Sequence, residues 1–462
     1  MPRNLLAAFA VALTALTFAL PLQAQSAAAQ AEPGDQAGQA APAESLKEQV
    51  ATLEEKSRVA YEEGKWVSFY TANMKLNQLL PYEPEYLVNV VRACALLDRK
   101  TTAYHYMLQL QQQGVAHDFN ATDDTLSIRD TEAYTYIANL LIDAGNPAGE
   151  GLFAFDLRGN ASDYSAIAWD ASRDLFLAGT TARGALLAVS ANGETETLLE
   201  ADEENGLWSI TGLAVDADNN RLWVASAATP QFAGYAAGEE IKSALFELDL
   251  KTLEVLNRFD PPADGSPHVL GSLAITQDGQ VYVIDHASPF IYLKSPGGEA
   301  LNPFMASPDM IEFSDIAVTP DNNRIYVSDA TLGILEIAPL AEQAGMLAGP
   351  ETMNLGGIVS LDYHDGNLYA VQGEFEPERI VRLELDPATG AVLSVNPMAV
   401  ALLEFNRPGV GAIKDDDLYY IANTGTADES GAIVLNTPLS AGAAAVAPRM
   451  KEDPRVVRPA NQ

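Results

Sequence analysis

Five polar side chains stand where chemistry could be done: Asp285, His286, Asp315, Asp329 and Asn423. Carboxylate and amide oxygens are hard donors suited to calcium or magnesium. Asp285, Asp315, Asp329 and Asn423 are therefore the candidate ligands for a divalent cation, and no other cofactor is called for. A carboxyl group of raised pKa serves as a general acid or base, and Asp329 and His286 are the candidates for that role. An aspartate after a strand also caps turns by accepting backbone N–H bonds, so both readings stand.

A repeated hairpin must position these residues. The stretch FSDIAVTPDNNRIYVSDATLGI (313–334) has two short β-rich runs around a Pro-Asp-Asn-Asn turn. Similar hairpins occur at 167–178, 213–226, 273–285, 359–372 and 412–423. Their second strands carry aromatic marks at Phe176, Trp223, Tyr282, Tyr326, Tyr369 and Tyr419 or Tyr420. A second pair of strand-like runs follows most hairpins, as in ALFELDLKTLEVLNRF from Ala244. Four antiparallel strands at such a period describe a propeller blade, and six marks predict six blades over residues 150–440. A solenoid of sheets is the rival architecture. The sixth unit is short of a strand, and GLFAFDLR (151–158) is the spare strand expected to close it.

In a propeller, residues before each innermost strand and after each second strand share one mouth. The first group reads Ser165, Thr211, Gly271, Ser314 with Asp315, Ile358 and about Gly409. The second reads Gly179, Ser226, Asp285 with His286, Asp329, Gln372 and Asn423. Asp285, Asp315 and Asp329 thus fall on one acidic sector.

The units PDNNRIYVSD, HDGNLYAVQ and DDLYYIANTG resemble the senescence marker protein and gluconolactonase (regucalcin-like) family of six-bladed propellers, in the exported bacterial form that carries a tetratricopeptide-like region. The resemblance covers about residues 151–439. It implies a central divalent metal held by a Glu before the first innermost strand and by Asn and Asp before later ones, opening a sugar lactone. This chain has Ser165 at the first of these places and Thr211, Gly271, Ser314 and Ile358 at later ones. The family's lactonase site is not intact.

Residues 45–147 carry a helical period instead. A Gly64-Lys65-Trp66 break and Pro81 bound a second helix, and a 34-residue shift places Ala103 under Phe69, as in tetratricopeptide repeats. Tyr61, Trp66, Tyr70, Tyr82, Tyr86, Tyr104 and Tyr106 line either a peptide groove or a core. Residues 1–24 have the layout of a secretory signal peptide, with cleavage after Ala24; 25–44 read as a disordered linker and 441–462 as a flexible tail. The expected location is the periplasm or outside the cell, with no membrane span after signal removal.

Asp and Glu number 63 against 27 Lys and Arg, a formal charge of -36. Such a surface repels phosphate backbones and argues against nucleic-acid partners. Cys94 is the single cysteine, so no intrachain disulfide forms. The leading expectation is a binding or scaffold protein for a protein, peptide or small ligand. The alternative is a divalent-metal-dependent hydrolase of lactone or ester type at the upper mouth.

Overall fold

The structure is a computed structural model that describes residues 45–307, 310–426 and 431–442. The signal peptide and linker read in residues 1–44, and the tail from 443 onward, lie outside the described residues.

Five helices come first. In α1 (Leu46–Glu62), Ser45 and Glu48 form a reciprocal capping box that satisfies two otherwise orphaned N–H groups. Helix α2 (Trp66–Leu79) ends before Pro81, and α3 (Pro84–Leu96) begins on a proline, whose fixed φ and missing N–H suit a first helical turn. Helices α4 (Lys100–Gln112) and α5 (Glu132–Asp143) complete the region. Phe69 and Ala103, the pair aligned by the 34-residue shift, are both buried. Cys94 is wholly buried in the helical core with Val90, Val91 and Leu141, and burial pushes its thiol pKa up to about 11. No helix among the described residues is long and apolar enough to cross a membrane.

Six antiparallel sheets follow, one per expected unit. The innermost strands are β3 (Tyr164–Asp170), β7 (Ser209–Asp216), β11 (Leu270–Ile275), β15 (Phe313–Val318), β19 (Ile358–His364) and β23 (Gly411–Lys414). Their hairpin partners are β4 (Leu175–Thr180), β8 (Arg221–Ala228), β12 (Val281–Asp285), β16 (Ile325–Asp329), β20 (Asn367–Gln372) and β24 (Asp417–Ile421). The hairpin turns place Asp174, Asn220, Gly279, Asn322, Asp365 and Asp415 at positive φ, which explains the recurrent Asp, Asn and Gly there. As expected from GLFAFDLR, β2 (Leu152–Leu157) supplies the outer strand of blade six by pairing with β25 (Ala432–Pro438). Just before it, β1 (Ala148–Gly149) pairs with β22 (Val392–Val400) as a fifth strand of blade five.

The helical region docks on the face at which the innermost strands begin, here called the upper face, over blades four and five. Phe375, from the loop after β20, is part of the helical core. Asn354 donates to the main-chain oxygen of Tyr82 at 3.0 Å, and Gln113 to that of Glu351 at 3.0 Å. Gly333 and Gly356 leave room for the Tyr82 side chain, which a Cβ at either position would meet within 3 Å. Tyr82 is thus an interface residue. Tyr104 is tied by its hydroxyl to the Ile128 carbonyl at 2.6 Å.

Candidate ligand-binding cavity

The innermost strands surround a central cavity of about 340 Å³. In the first five blades a register shift near the upper end of the hairpin adds a residue to the innermost strand. Such a bulge re-aims the side chains on either side of it. Below the bulge the cavity positions follow in order.

The structure ties the bulge residues from blade to blade. The Ser165 hydroxyl donates to the Ile210 carbonyl, Thr211 to that of Leu270 at 2.6 Å, and Ser314 to that of Ile358 at 2.7 Å. Each acceptor is the residue just before the bulge of the following blade. Blade three has Gly271 in place of a hydroxyl, and His286 takes over the role. Its Nδ1 donates to the Phe313 carbonyl at 2.9 Å, and its ring fills the place where a Cβ on Gly271 would stand. Burial holds the His286 pKa below the usual histidine range, so the imidazole is the neutral Nδ1–H form and acts as an inter-blade tie.

The residues closing the second strands form a ring of their own: Thr180, Ser226, Asp285, Asp329, Gln372 and Asn423, all buried. Asp329 accepts four backbone N–H bonds, from Thr331 and Leu332 on Oδ1 and from Ile311 and Glu312 on Oδ2, at 2.8–2.9 Å. Asp285 accepts from Val269 N and Ala287 N, both at 2.9 Å, and contacts His268 through its other oxygen. Asn423 accepts from Ile433 N at 2.8 Å, and Ser226 from Trp208 N at 2.8 Å. This ring fastens loops to blades. None of Asp285, His286, Asp329 or Asn423 lines the cavity, and of the four sequence-derived cation ligands only Asp315 does. Among the described residues, no three His, Cys, Asp or Glu side chains are grouped to hold a metal ion.

Sequence reading missed the second carboxylate of the cavity, Asp362. The hairpin register pairs Ala168 with Leu177, Ala214 with Trp223, Ala274 with Tyr282, Ala317 with Tyr326 and Ala412 with Tyr419. In blade five the residue opposite the aromatic mark, Tyr369, is Asp362. Five blades have alanine at this place and one has a carboxylate. Superposing the six hairpins by their marks would have exposed it. The register also moves the mark of blade one from Phe176 to Leu177.

Asp315 accepts from its neighbour Ile316 N at 2.8 Å and, across the blade boundary, from Leu361 N at 2.7 Å. Asp362 is the next residue after Leu361, and its carboxyl group makes no hydrogen bond to any described residue. Desolvation pushes Asp315 up to about 6, against the pull of its two N–H bonds. Desolvation, and then the neighbouring Asp315 charge, push Asp362 up to about 8. Both carboxyl groups are pushed above the ordinary range, and of the two Asp362 holds its proton to the higher pH. Ser272 and Ser360 line the same level, while Trp169 and Tyr363 lie toward the lower end of the cavity.

No family model and no curated protein matches the chain. Its fold is similar to several solved structures. The PQQ-bound aldose sugar dehydrogenase of Streptomyces coelicolor is 17% identical, covering 63% of this chain and 99% of that one, with a TM-score of 0.42. A putative oxidoreductase (glucose dehydrogenase) of Thermus thermophilus is 16% identical over 63% and 100%, with a TM-score of 0.41. Virginiamycin B lyase of Staphylococcus aureus is 12% identical over 59% and 81%, with a TM-score of 0.40. Its own six sheets and five preceding helices make the chain a six-bladed β-propeller preceded by a helical region.

Proposed function

We propose that this chain is an exported binding protein whose ligand occupies the central cavity, with the helical region as a scaffold fixed to blades four and five. The reading rests on Asp362. Five blades put alanine at its position, and its carboxyl group has no partner among the described residues. The group is half-buried and lines the cavity, not sealed in the core, so a ligand entering the cavity can reach it and hydrogen-bond to it. The ligand is small, since the cavity is about 340 Å³, and it carries a cationic or donor group toward Asp315 and Asp362. Calcium and magnesium belong to the same test, because carboxylates suit both. The alternative, a metal-dependent lactone or ester hydrolase akin to the regucalcin-like family, retains Asp315 from its sequence-derived ligand set. Asp285, Asp329 and Asn423 are committed to backbone N–H groups.

The test is thermal shift and calorimetry of the wild type and Asp362→Ala with calcium, magnesium, putrescine and arginine. Alanine is what five blades already carry, so this variant keeps the fold. Saturable stabilisation of the wild type by one of these probes, lost in the variant, supports the reading. No shift with any probe removes its basis. Turnover of a lactone or ester panel that requires Asp315 and added metal would favour the hydrolase.

A further inference from the structure

We propose that the cavity selects an arylalkyl monoamine, its ammonium set against Asp315 and Asp362 and its apolar body against a collar of side chains below them. This names the ligand class for the binding reading given above and rests on that reading.

The cavity wall is unequal around its circumference. The innermost strands stand in a ring in chain order, with β23 beside β3 closing it, so blades three, four and five face blades six, one and two. At the level of Asp315 the first side presents Ser272, Asp315 and Ser360, and the second presents Ala166, Gly212 and Val410. Two residues further along the strands Asp362 adds a carboxyl group to the first side, where the other blades have alanine. Among the described residues no lysine or arginine pairs with Asp315 or Asp362. The positive charge that matches them therefore comes with the ligand. An ammonium has three N–H donors and no acceptor, which suits a wall of carboxyl and hydroxyl oxygens.

The next residue along all six strands is apolar. Trp169, Val215, Ile275, Val318, Tyr363 and Ile413 pair in register with Phe176, Leu222, Val281, Ile325, Leu368 and Leu418. All six are half-buried and line the cavity. They form a collar whose apolar surface the protein itself leaves partly uncovered, and an apolar ligand body gains by covering it. Strand residues rise about 3.3 Å each, so the collar lies within about 10 Å of Asp315. Ammonium and body are therefore only a few bonds apart.

A second positive charge does not suit the lower end. Lys414 Nζ already lies over the Trp169 ring, 4.7 Å from its centre, and it repels another ammonium at the collar. A linear diamine is disfavoured for that reason as well as for its lack of an apolar body.

Isothermal calorimetry at one pH, on the full chain and on Asp362→Ala, tests this with phenethylamine, ethylamine, putrescine, phenethyl alcohol and calcium. Phenethylamine should bind the wild type roughly tenfold or more tightly than ethylamine or putrescine, the effect of burying its ring. Phenethyl alcohol, of the same shape without the charge, should bind roughly tenfold or more weakly than phenethylamine, and Asp362→Ala should lose a similar factor for the amine. Ethylamine, putrescine or calcium binding as tightly as phenethylamine, and lost in Asp362→Ala, would overturn this inference and leave the cavity reading standing. Equal binding of phenethyl alcohol would overturn the part given to the ammonium. Phenethylamine binding unchanged in Asp362→Ala, or no binding of any probe, would overturn the inference and the cavity reading together.

Discussion

Arg379 donates from Nη1 to the main-chain oxygen of Gln113, 3.0 Å away, and so joins blade five to the end of α4 from a buried position. The same guanidinium donates to Gln372 Oε1 at 2.6 Å and to the Asn354 carbonyl at 3.3 Å, and it stacks on Phe375 at 3.9 Å. No carboxylate among the described residues pairs with it, and burial pulls its pKa down to about 9. Gly114 is required beside it, since a Cβ there would meet Nη1 at 2.3 Å.

Replacing Arg379 by Met should cost about 2–4 kcal/mol, because it leaves several buried acceptors without donors. Arg379→Lys should recover little of this, as an ammonium cannot reproduce the planar fork. Urea unfolding followed by circular dichroism checks both.

Asp362 predicts a stability that depends on pH. Its native pKa of about 8 lies above the ordinary value of 3.8, so the native state holds the proton where the unfolded chain has lost it. The favourable contribution is fully present below about pH 4 and is lost as the pH rises through 8. Asp362→Ala should therefore melt above the wild type by a margin that grows from pH 5 to pH 9, reaching on the order of 1–2 kcal/mol once partial access of solvent to the cavity is allowed for. Parallel melting curves across that range would contradict the assignment.

Asp329 is expected to behave as a structural cap. Asp329→Asn keeps the shape but turns an N–H₂ group toward backbone donors, so it should lose about 2–3 kcal/mol, nearly as much as Asp329→Ala. Calorimetric unfolding without added ligand gives the comparison. A fully stable Asp329→Asn variant would show that the four N–H bonds are not what the carboxylate is for.

Gly271 and His286 form a testable pair. A Cβ on Gly271 would lie 1.8 Å from His286 Nε2, so Gly271→Ser alone should destabilise by roughly 1–3 kcal/mol. With His286→Ala in the same chain, the serine can supply the hydroxyl tie that Ser165, Thr211 and Ser314 provide in blades one, two and four. A double-mutant cycle should then show a favourable coupling of about 1 kcal/mol or more.

The blades were legible because their signals are local. Turn residues at positive φ, aromatic marks and alternating strands repeat within one hairpin, and even the closing strand at 152–157 could be placed by counting. The site was legible only in part. Asp285 and Asp329 are the last residues of their strands, one place earlier than expected, and the groups that occupy them, Val269 N and Ile311 N, come from loops sixteen and eighteen residues earlier. Spacing along a strand does not reveal which oxygens a distant loop consumes. The bulges displaced the reading as well: Ser165, Thr211, Gly271 and Ser314 are bulge residues tied to the next blade or packed against His286, and the cavity ring begins one residue later. Asp362 was hidden in an acidic, polar run, LDYHDG, whose departure from alanine appears only when the strands are set in register.

The pairing of β2 with β25 has a consequence for the order of assembly. Leu152, ahead of the first blade in the chain, needs Asn436 at the end of the last one. During synthesis the strand that closes the ring emerges early and stays without its partner until nearly every other blade has been made. The circle therefore shuts as a late event that requires the whole chain. A chain cut short before residue 432 should hold individual blades but no closed ring and hence no enclosed cavity.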